Sequence, residues 1–141
     1  LFGVNQLNAV TVLGIMGEMG ARYRQDFVWQ AIEYTAKMLK DERVLIINSE
    51  NCPSVVIYFS VTDEPDQYHY KPTWDYKPHN PHGKLVVIEK LVSRGWNRTM
   101  REQLETELLK LYPQLEKAVW IRDSKIGDRH VYTTRRVKAN A

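Results

Sequence analysis

The sequence predicts a mixed α/β fold of the α+β kind, a mostly antiparallel sheet with helices packed on it. Three observations carry this. Apolar residues recur at the helical period of about 3.6 in two well-separated stretches, 26–41 and 99–112. Elsewhere the pattern changes to short runs rich in β-branched residues, at 43–48, 54–61, 84–92, 118–121 and 130–134. The resulting order (α, α, β, β, long connection, β, α, β, β) is one that a mixed sheet flanked by helices accommodates.

Each element has its own local reason. Leu7, Val10, Leu13, Ile15, Met16 and Met19 are spaced for a first helix over 7–19. Gly14, Gly17 and Gly20 weaken it, since glycine costs about 1 kcal/mol against alanine in a helix. Their spacing of three also invites another backbone to approach closely. A second helix is expected over 26–41, with Phe27, Val28, Ala31, Ile32, Thr35, Ala36 and Leu39 on one face and Asp26 as its N-cap. Arg43 to Asn48 and Ser54 to Val61 read as a hairpin across the turn Glu50-Asn51-Cys52-Pro53. The second of these strands is apolar on both faces, which predicts a central place in the sheet.

Residues 62–83 contain no Leu, Ile or Met and read as a long loop, with a short strand at Gln67 to Tyr70. Long loops inside compact domains are often functional. Tyr68, Tyr70, Trp74 and Tyr76 can line a groove for an acyl chain or peptide, or simply cover the sheet. Lys84 to Val92 is the next strand. Thr99-Met100-Arg101-Glu102 fits a capping box, Met100, Leu104, Leu108 and Leu111 make a buried stripe, and Pro113 stops the helix. Strands follow at Ala118 to Ile121 and His130 to Thr134, with Gly127 in the turn between them and a basic tail at 135–141.

A chain of 141 residues is one domain long, spanning 1–141. Its apolar share of 43% and charged share of 26% are those of an ordinary globular protein. The longest apolar run, Val55 to Phe59, is far short of the roughly 20 residues a membrane helix needs. No secretory pattern is visible, although a start at Leu1 leaves room for a trimmed segment. Cys52 is the one cysteine, which rules out an internal disulfide and agrees with a cytoplasmic location. Charge is uneven. Residues 1–89 carry a net −3 and residues 90–141 a net +6, within a total of +3. A basic second half points to an acidic partner such as an acyl carrier protein, a phosphate-bearing cofactor or nucleic acid, or to a solvated basic face.

The junction Leu91-Val92-Ser93-Arg94-Gly95-Trp96-Asn97-Arg98-Thr99 is the most informative local feature. A strand runs through a glycine-containing turn into a helix N-terminus, where free amides and the positive end of the helix dipole attract phosphate. Arg94 and Arg98 add charge, and with Gly95 and Asn97 they are the candidate binding residues for a pantetheine arm. An ordinary capped turn would read the same. Glu89, in the apolar strand Leu85-Val86-Val87-Ile88-Glu89, is a candidate base. It also fits the solvent side of a half-buried strand. His79 and His82 are three apart with Asp75 nearby, but without a cysteine they make no structural zinc pattern, and no metal site is expected. There is no Gly-x-Ser-x-Gly, His-Glu-x-x-His or Walker sequence.

Several stretches together resemble the RTX toxin-activating lysine acyltransferases. Arg43 to Ser60 resembles their strand–Asn-x-Pro–strand hairpin, and Lys84 to Gly95 their next strand, with an acidic residue after apolar ones and a glycine turn leading to a helix. Met100 to Pro113 and Val119-Trp120-Ile121-Arg122 resemble the helix and strand that follow, and Ala21-Arg22-Tyr23-Arg24-Gln25 falls where the family has its short catalytic segment. The likeness spans about residues 10–135 by order and spacing more than identity. The family's last helical segment has no counterpart before the chain stops.

The resemblance implies an acetyltransferase-like fold, a cytoplasmic setting and a reaction in which an acyl group passes from acyl-acyl carrier protein to lysine amines of an acceptor protein. A His and an Asp carry that chemistry; here Tyr23 takes the His position and Glu89 the Asp position. Arg24 matches the basic residue that follows the family's His. Asp to Glu keeps a carboxylate but moves it by about an ångström, and misplacement on that scale can cost about 10²-fold. A phenol titrates near 10, not near neutrality, so Tyr23 is a poor base, though it can donate to an oxyanion or protonate a leaving thiolate. His69 or His130 would supply a substitute base if either folds back near Glu89.

Two functions are therefore expected. The first is a protein-lysine acyltransferase with Tyr23 and Glu89 catalytic, no permanently bound cofactor, and acyl-acyl carrier protein or acyl-CoA as donor substrate. The second is a catalytically degenerate relative that binds an acidic protein or other polyanion, with nucleic acid the less favoured ligand because no basic–aromatic interleaving of an RNA-binding sheet is present. Family members tend to pair, and the apolar segment 10–20 is a candidate homodimer contact.

Overall fold

The computed structural model describes residues 4–20, 28–49, 52–63, 79–123 and 130–136. Among them are three helices, α1 (Val4–Glu18), α2 (Val28–Lys40) and α3 (Arg98–Leu111). There are five strands, β1 (Val44–Ser49), β2 (Cys52–Thr62), β3 (Leu85–Ser93), β4 (Lys117–Asp123) and β5 (His130–Arg136). The strands form one mixed sheet in the order β1-β2-β3-β4-β5. β1 and β2 pair antiparallel, as do β4 and β5, whereas β3 and β4 run parallel with α3 as the crossover between them. β2 and β3 run in opposite directions: the Arg94 N–H just after β3 reaches the Ser54 carbonyl early in β2, and the Lys84 N–H just before β3 reaches Asp63 just after β2. No helix of the described residues is long and apolar enough to cross a membrane.

The chain forms two compact units, and strands β2 and β3 each contribute to both. The first holds α1, α2, β1, β2 as far as Tyr58, and the end of β3 from Leu91. Its core is Val12 and Met16 of α1, Tyr34 and Met38 of α2, and Val56 and Tyr58 of β2, with Leu13, Ile15, Met19, Leu39, Val44 and Val92 packed around them. Helix α2 presents Ala31, Ile32, Tyr34, Thr35 and Met38 inward. Ala31, Ile32 and Thr35 are where the periodicity put them, but Tyr34 and Met38 take the buried places expected for Ala36 and Leu39, which are half-buried, and Val28 is exposed. Thr35 was expected on this face, and it does more than fill space. Its hydroxyl shares a 2.7 Å hydrogen bond with the Tyr58 hydroxyl, and the Tyr58 ring stacks on Tyr34 with centroids 5.7 Å apart. Buried hydroxyls need such partners.

Helix α1 differs from expectation at its glycines. A Cβ built at Gly14, Gly17 or Gly20 meets nothing within 4 Å among the described residues, so none of the described backbone crosses there. Helix α2 ends without a glycine. The Glu42 N–H bonds to Leu39 O and the Arg43 N–H to Met38 O, the two bonds of a Schellman cap, and Glu42 takes the left-handed conformation at φ 58°. That cap turns the chain directly into β1. It leaves Arg43 fully buried, with its guanidinium 3.9 Å from the Asp41 carboxylate. Strand β2 is buried from Ser54 through Thr62, which is why its sequence is apolar on both faces. The hairpin turn is tighter than the sequence indicated, because Cys52 and Pro53 already pair with β1, and the register shifts by a bulge at Ile47/Asn48.

The second unit holds the end of β2 from Phe59, the start of β3, α3, β4 and β5. Leu104 and Leu108 of α3 are buried, together with Val61, Val86, Val87, Leu115 and Val119. Leu111 was expected in the stripe but is 50% exposed. The helix stops there, and the inward role passes to Tyr112, whose ring meets Phe59 edge-on at 6.0 Å, and to Leu115. Such an aromatic pair contributes about 0.5–1.5 kcal/mol beyond area burial. The stretch just before β3, read as the end of a long loop, is instead pinned to β2. The Asn80 N–H bonds to Val61 O at 2.8 Å, and the Gln114 carboxamide donates to Pro81 O and Gly83 O. Gly83 lies so close to Thr62 that a Cβ on it would stand 2.6 Å from the Thr62 carbonyl carbon. Arg135 and Arg136, read as the start of a tail, belong to β5, where Arg136 lies opposite Lys117 and Arg135 opposite Ala118. The expected strand at 67–70, the loop aromatics, Asp26, Gly127 and residues 137–141 lie outside the described residues.

Candidate functional site

The turn from β3 to α3 is built from the bonding needs of its own residues. β3 ends at Ser93. Arg94, in the first unit, donates its backbone N–H to Ser54 O at 2.9 Å and its Nε–H to Pro53 O at 3.0 Å, tying the turn to the start of β2. Gly95 has φ 103°, a left-handed angle that side chains rarely adopt; open space surrounds the position a Cβ would take, so the backbone angle is what requires glycine. Trp96 follows, 43% exposed.

In the second unit Asn97 starts the helix. Its backbone is extended (φ −142°, ψ 175°), and its side-chain oxygen accepts the Met100 N–H at 2.9 Å. This corrects the capping box read at Thr99 and Glu102. Asn ranks above Thr as an N-cap, and starting at Asn97 gains helical residues that a cap at Thr99 would forfeit. Thr99 is already helical, and the Glu102 carboxylate bonds to Arg98 Nε at 3.0 Å instead of reaching back to the cap. The amides of Arg98 and Thr99 precede the one that Asn97 caps, at the positive end of the helix.

The two arginines thus have different standing. The Arg98 side chain is 82% exposed, with part of its charge offset by Glu102. Arg94 is held more firmly, because Nε is committed to a carbonyl of β2 and its terminal nitrogens extend from a fixed base. Across α3 as a whole, Arg98, Arg101 and Lys110 are matched by Glu102, Glu105 and Glu107. The surplus positive charge of the second half therefore lies off the helix, in the turn and in β4, β5 and the residues around them.

Glu89 is in β3 and half-buried, with its Oε1 shielded from solvent. Tyr23 lies outside the described residues, as does His69. His130 is the first residue of β5, its Cα opposite that of Asp123. His79 serves a different purpose from the metal ligation its spacing to His82 brought to mind. Its Nδ1 accepts the Val61 N–H at 3.0 Å and its Nε2 faces the Tyr112 hydroxyl at 3.4 Å. Both ring nitrogens are engaged inside the fold. Among the described residues no group of three or more His, Cys, Asp or Glu side chains is arranged to hold a metal ion.

Sequence reasoning missed Trp96 as an exposed residue of the turn and the His79–Tyr112 contact. The first was legible, since a tryptophan between Arg94-Gly95 and Asn97-Arg98 has no apolar neighbours in sequence. The second joins residues 33 apart and left no local trace. No protein-family model matches this chain, and no curated protein is significantly similar to it.

Proposed function

We propose that this protein is an acyltransferase that moves an acyl group from an acyl carrier protein or CoA thioester to the amine of a protein lysine. The observation that carries the reading is the β3–turn–α3–β4 unit, whose flanking strands run parallel. In parallel α/β units, ligands bind beyond the carboxyl ends of the strands, and a helix N-terminus there suits a phosphate. In the second unit the exposed Trp96 and Arg98 flank the Asn97-capped helix start. They suit the phosphate and arm of a pantetheine donor.

In this proposal Glu89 accepts a proton from the attacking amine as the nitrogen bonds to the thioester carbonyl carbon. The carbon–sulfur bond then breaks, and Tyr23 protonates the departing thiolate. The proton held by Glu89 returns to Tyr23 through solvent, so the products are an amide and a free thiol. Proximity of amine and thioester supplies much of the acceleration where the base is weak. The test is intact mass of a lysine-bearing acceptor mixture after incubation with acyl-acyl carrier protein or acyl-CoA. Gain of one acyl group on an acceptor, lost in Glu89→Gln with the fold intact, supports the reading. Undiminished transfer in Glu89→Gln would sink the role of Glu89, and no transfer from either donor would sink the activity.

A second reading has its own observation. Residues 90–141 carry a net +6, while the charges of α3 balance among themselves, so the surplus that attracts an acidic partner lies outside that helix. A degenerate family member would bind an acidic protein through that surplus. Such binding weakens steeply with salt. Affinity for a polyacidic protein that stays constant from low to high salt would count against it.

A further inference from the structure

The turn that leads into β3 contains an imidazole whose protonation state the backbone dictates. The Val61 N–H can donate only to a bare lone pair, so Nδ1 of His79 carries no proton. The ring is then neutral with its hydrogen on Nε2, and that hydrogen points at the Tyr112 hydroxyl. Around this bond the turn is held at four further points, two of them at the end of β2, where Asn80 N–H bonds to Val61 O and Lys84 N–H bonds to Asp63 Oδ1. The other two come from Gln114 after α3, whose Nε2–H bonds to Pro81 O and to Gly83 O. Adding a proton to His79 puts a second N–H against the Val61 N–H. A hydrogen bond becomes a donor-to-donor contact, and the Val61 amide loses its acceptor.

We propose that His79 is an acid-released latch: neutral, it holds the turn 79–84 on the end of β2, and protonated, it lets that turn loosen. Among the described residues, the titratable and charged groups on the elements around it include the following. From β2 there is Asp63, already accepting Lys84 N–H; from the end of α3, the Tyr112 phenol; from the approach to β4, Glu116, paired with Lys84 at 3.8 Å; and from the turn itself, His82. Imidazole is the side chain that changes charge between pH 5 and 8. Of the two imidazoles, His82 is exposed and contributes only its backbone N–H, to Asn80, so His79 is the one whose protonation breaks a bond. The sign follows: the stabilisation is present while the ring is neutral and is lost as pH falls.

The test uses the full chain labelled with ¹⁵N. Long-range ¹H–¹⁵N spectra at pH 7.5 should show the His79 hydrogen on Nε2. On acidification to pH 5, protection of the Val61 and Asn80 amides, each referred to its intrinsic exchange rate at the same pH, should fall by roughly tenfold, the change that loss of one buried hydrogen bond produces. The fall should track His79 protonation, while the Arg43 amide, bonded to Met38 O in the other unit, stays constant. His79→Gln offers an acceptor oxygen that does not titrate, and its Val61 protection should be flat with pH. A hydrogen on Nδ1 at pH 7.5, protonation of His79 with no change at Val61, or the same acid-induced fall in His79→Gln would each overturn the latch. Should that variant not fold, the wild-type tautomer and exchange measurements decide by themselves.

Discussion

Replacing Gly83 by alanine tests how tightly the second unit is closed. The added Cβ would lie 2.6 Å from the Thr62 carbonyl carbon, 2.7 Å from its oxygen and 2.8 Å from its Cα. All three are backbone atoms of a buried strand residue, so no side chain can swing aside. Carbon–carbon contact requires about 3.4 Å, so the two backbones must part by roughly 0.8 Å. The bond across this contact is 2.8 Å from Asn80 N to Val61 O. A displacement of that size lengthens it past useful range. Overpacking costs about 1–3 kcal/mol, and one lost hydrogen bond adds about 1 kcal/mol, giving about 2–4 kcal/mol in all. For a chain of this size that lowers Tm by roughly 6–14 °C. Urea unfolding followed by circular dichroism measures the stability directly. Gly14→Ala, in open space on α1, is the control and should stabilise by up to about 1 kcal/mol. If Gly83→Ala lies within about 0.5 kcal/mol of wild type, a margin usual for surface changes, the close approach of the turn to β2 is refuted.

Two further outcomes are expected from the helix ends. Glu42→Gly removes a side chain from a left-handed position in the α2 cap and should stabilise by about 1 kcal/mol, despite the freer unfolded chain glycine brings; a lower urea midpoint would contradict the cap geometry. Asn97→Ala strips the cap from α3 and should cost about 1 kcal/mol, whereas Thr99→Ala should cost much less; the reverse ranking in thermal melts would restore the capping box read from sequence.

How much could be read in advance depended on whether the determining forces were local. The period of α2, the stop of α3 before Pro113 and the two-sided burial of β2 follow from residues adjacent in the chain, and each was legible. So was the turn Arg94-Gly95, because a positive φ leaves its mark as a glycine. The cap at Asn97 was also written locally but was misread, since two overlapping signals lay two residues apart and their difference of a few tenths of a kcal/mol decided between them.

Tertiary structure decided the rest. Nothing near Thr35 announces that Tyr58 will meet its hydroxyl, and nothing near His79 announces Val61 and Tyr112. Glu42 shows the same limit, because the sequence has no glycine to mark the left-handed cap that turns α2 into β1. The spacing of Gly14, Gly17 and Gly20 suggested a close backbone approach that the fold makes elsewhere, at Gly83 against Thr62. Among the described residues, the sequence by itself determined which segments are helix and strand, because period and propensity act within a few residues. Which side chains share a hydrogen bond, and where two backbones touch, was decided only when the sheet brought together residues some 18 to 33 positions apart.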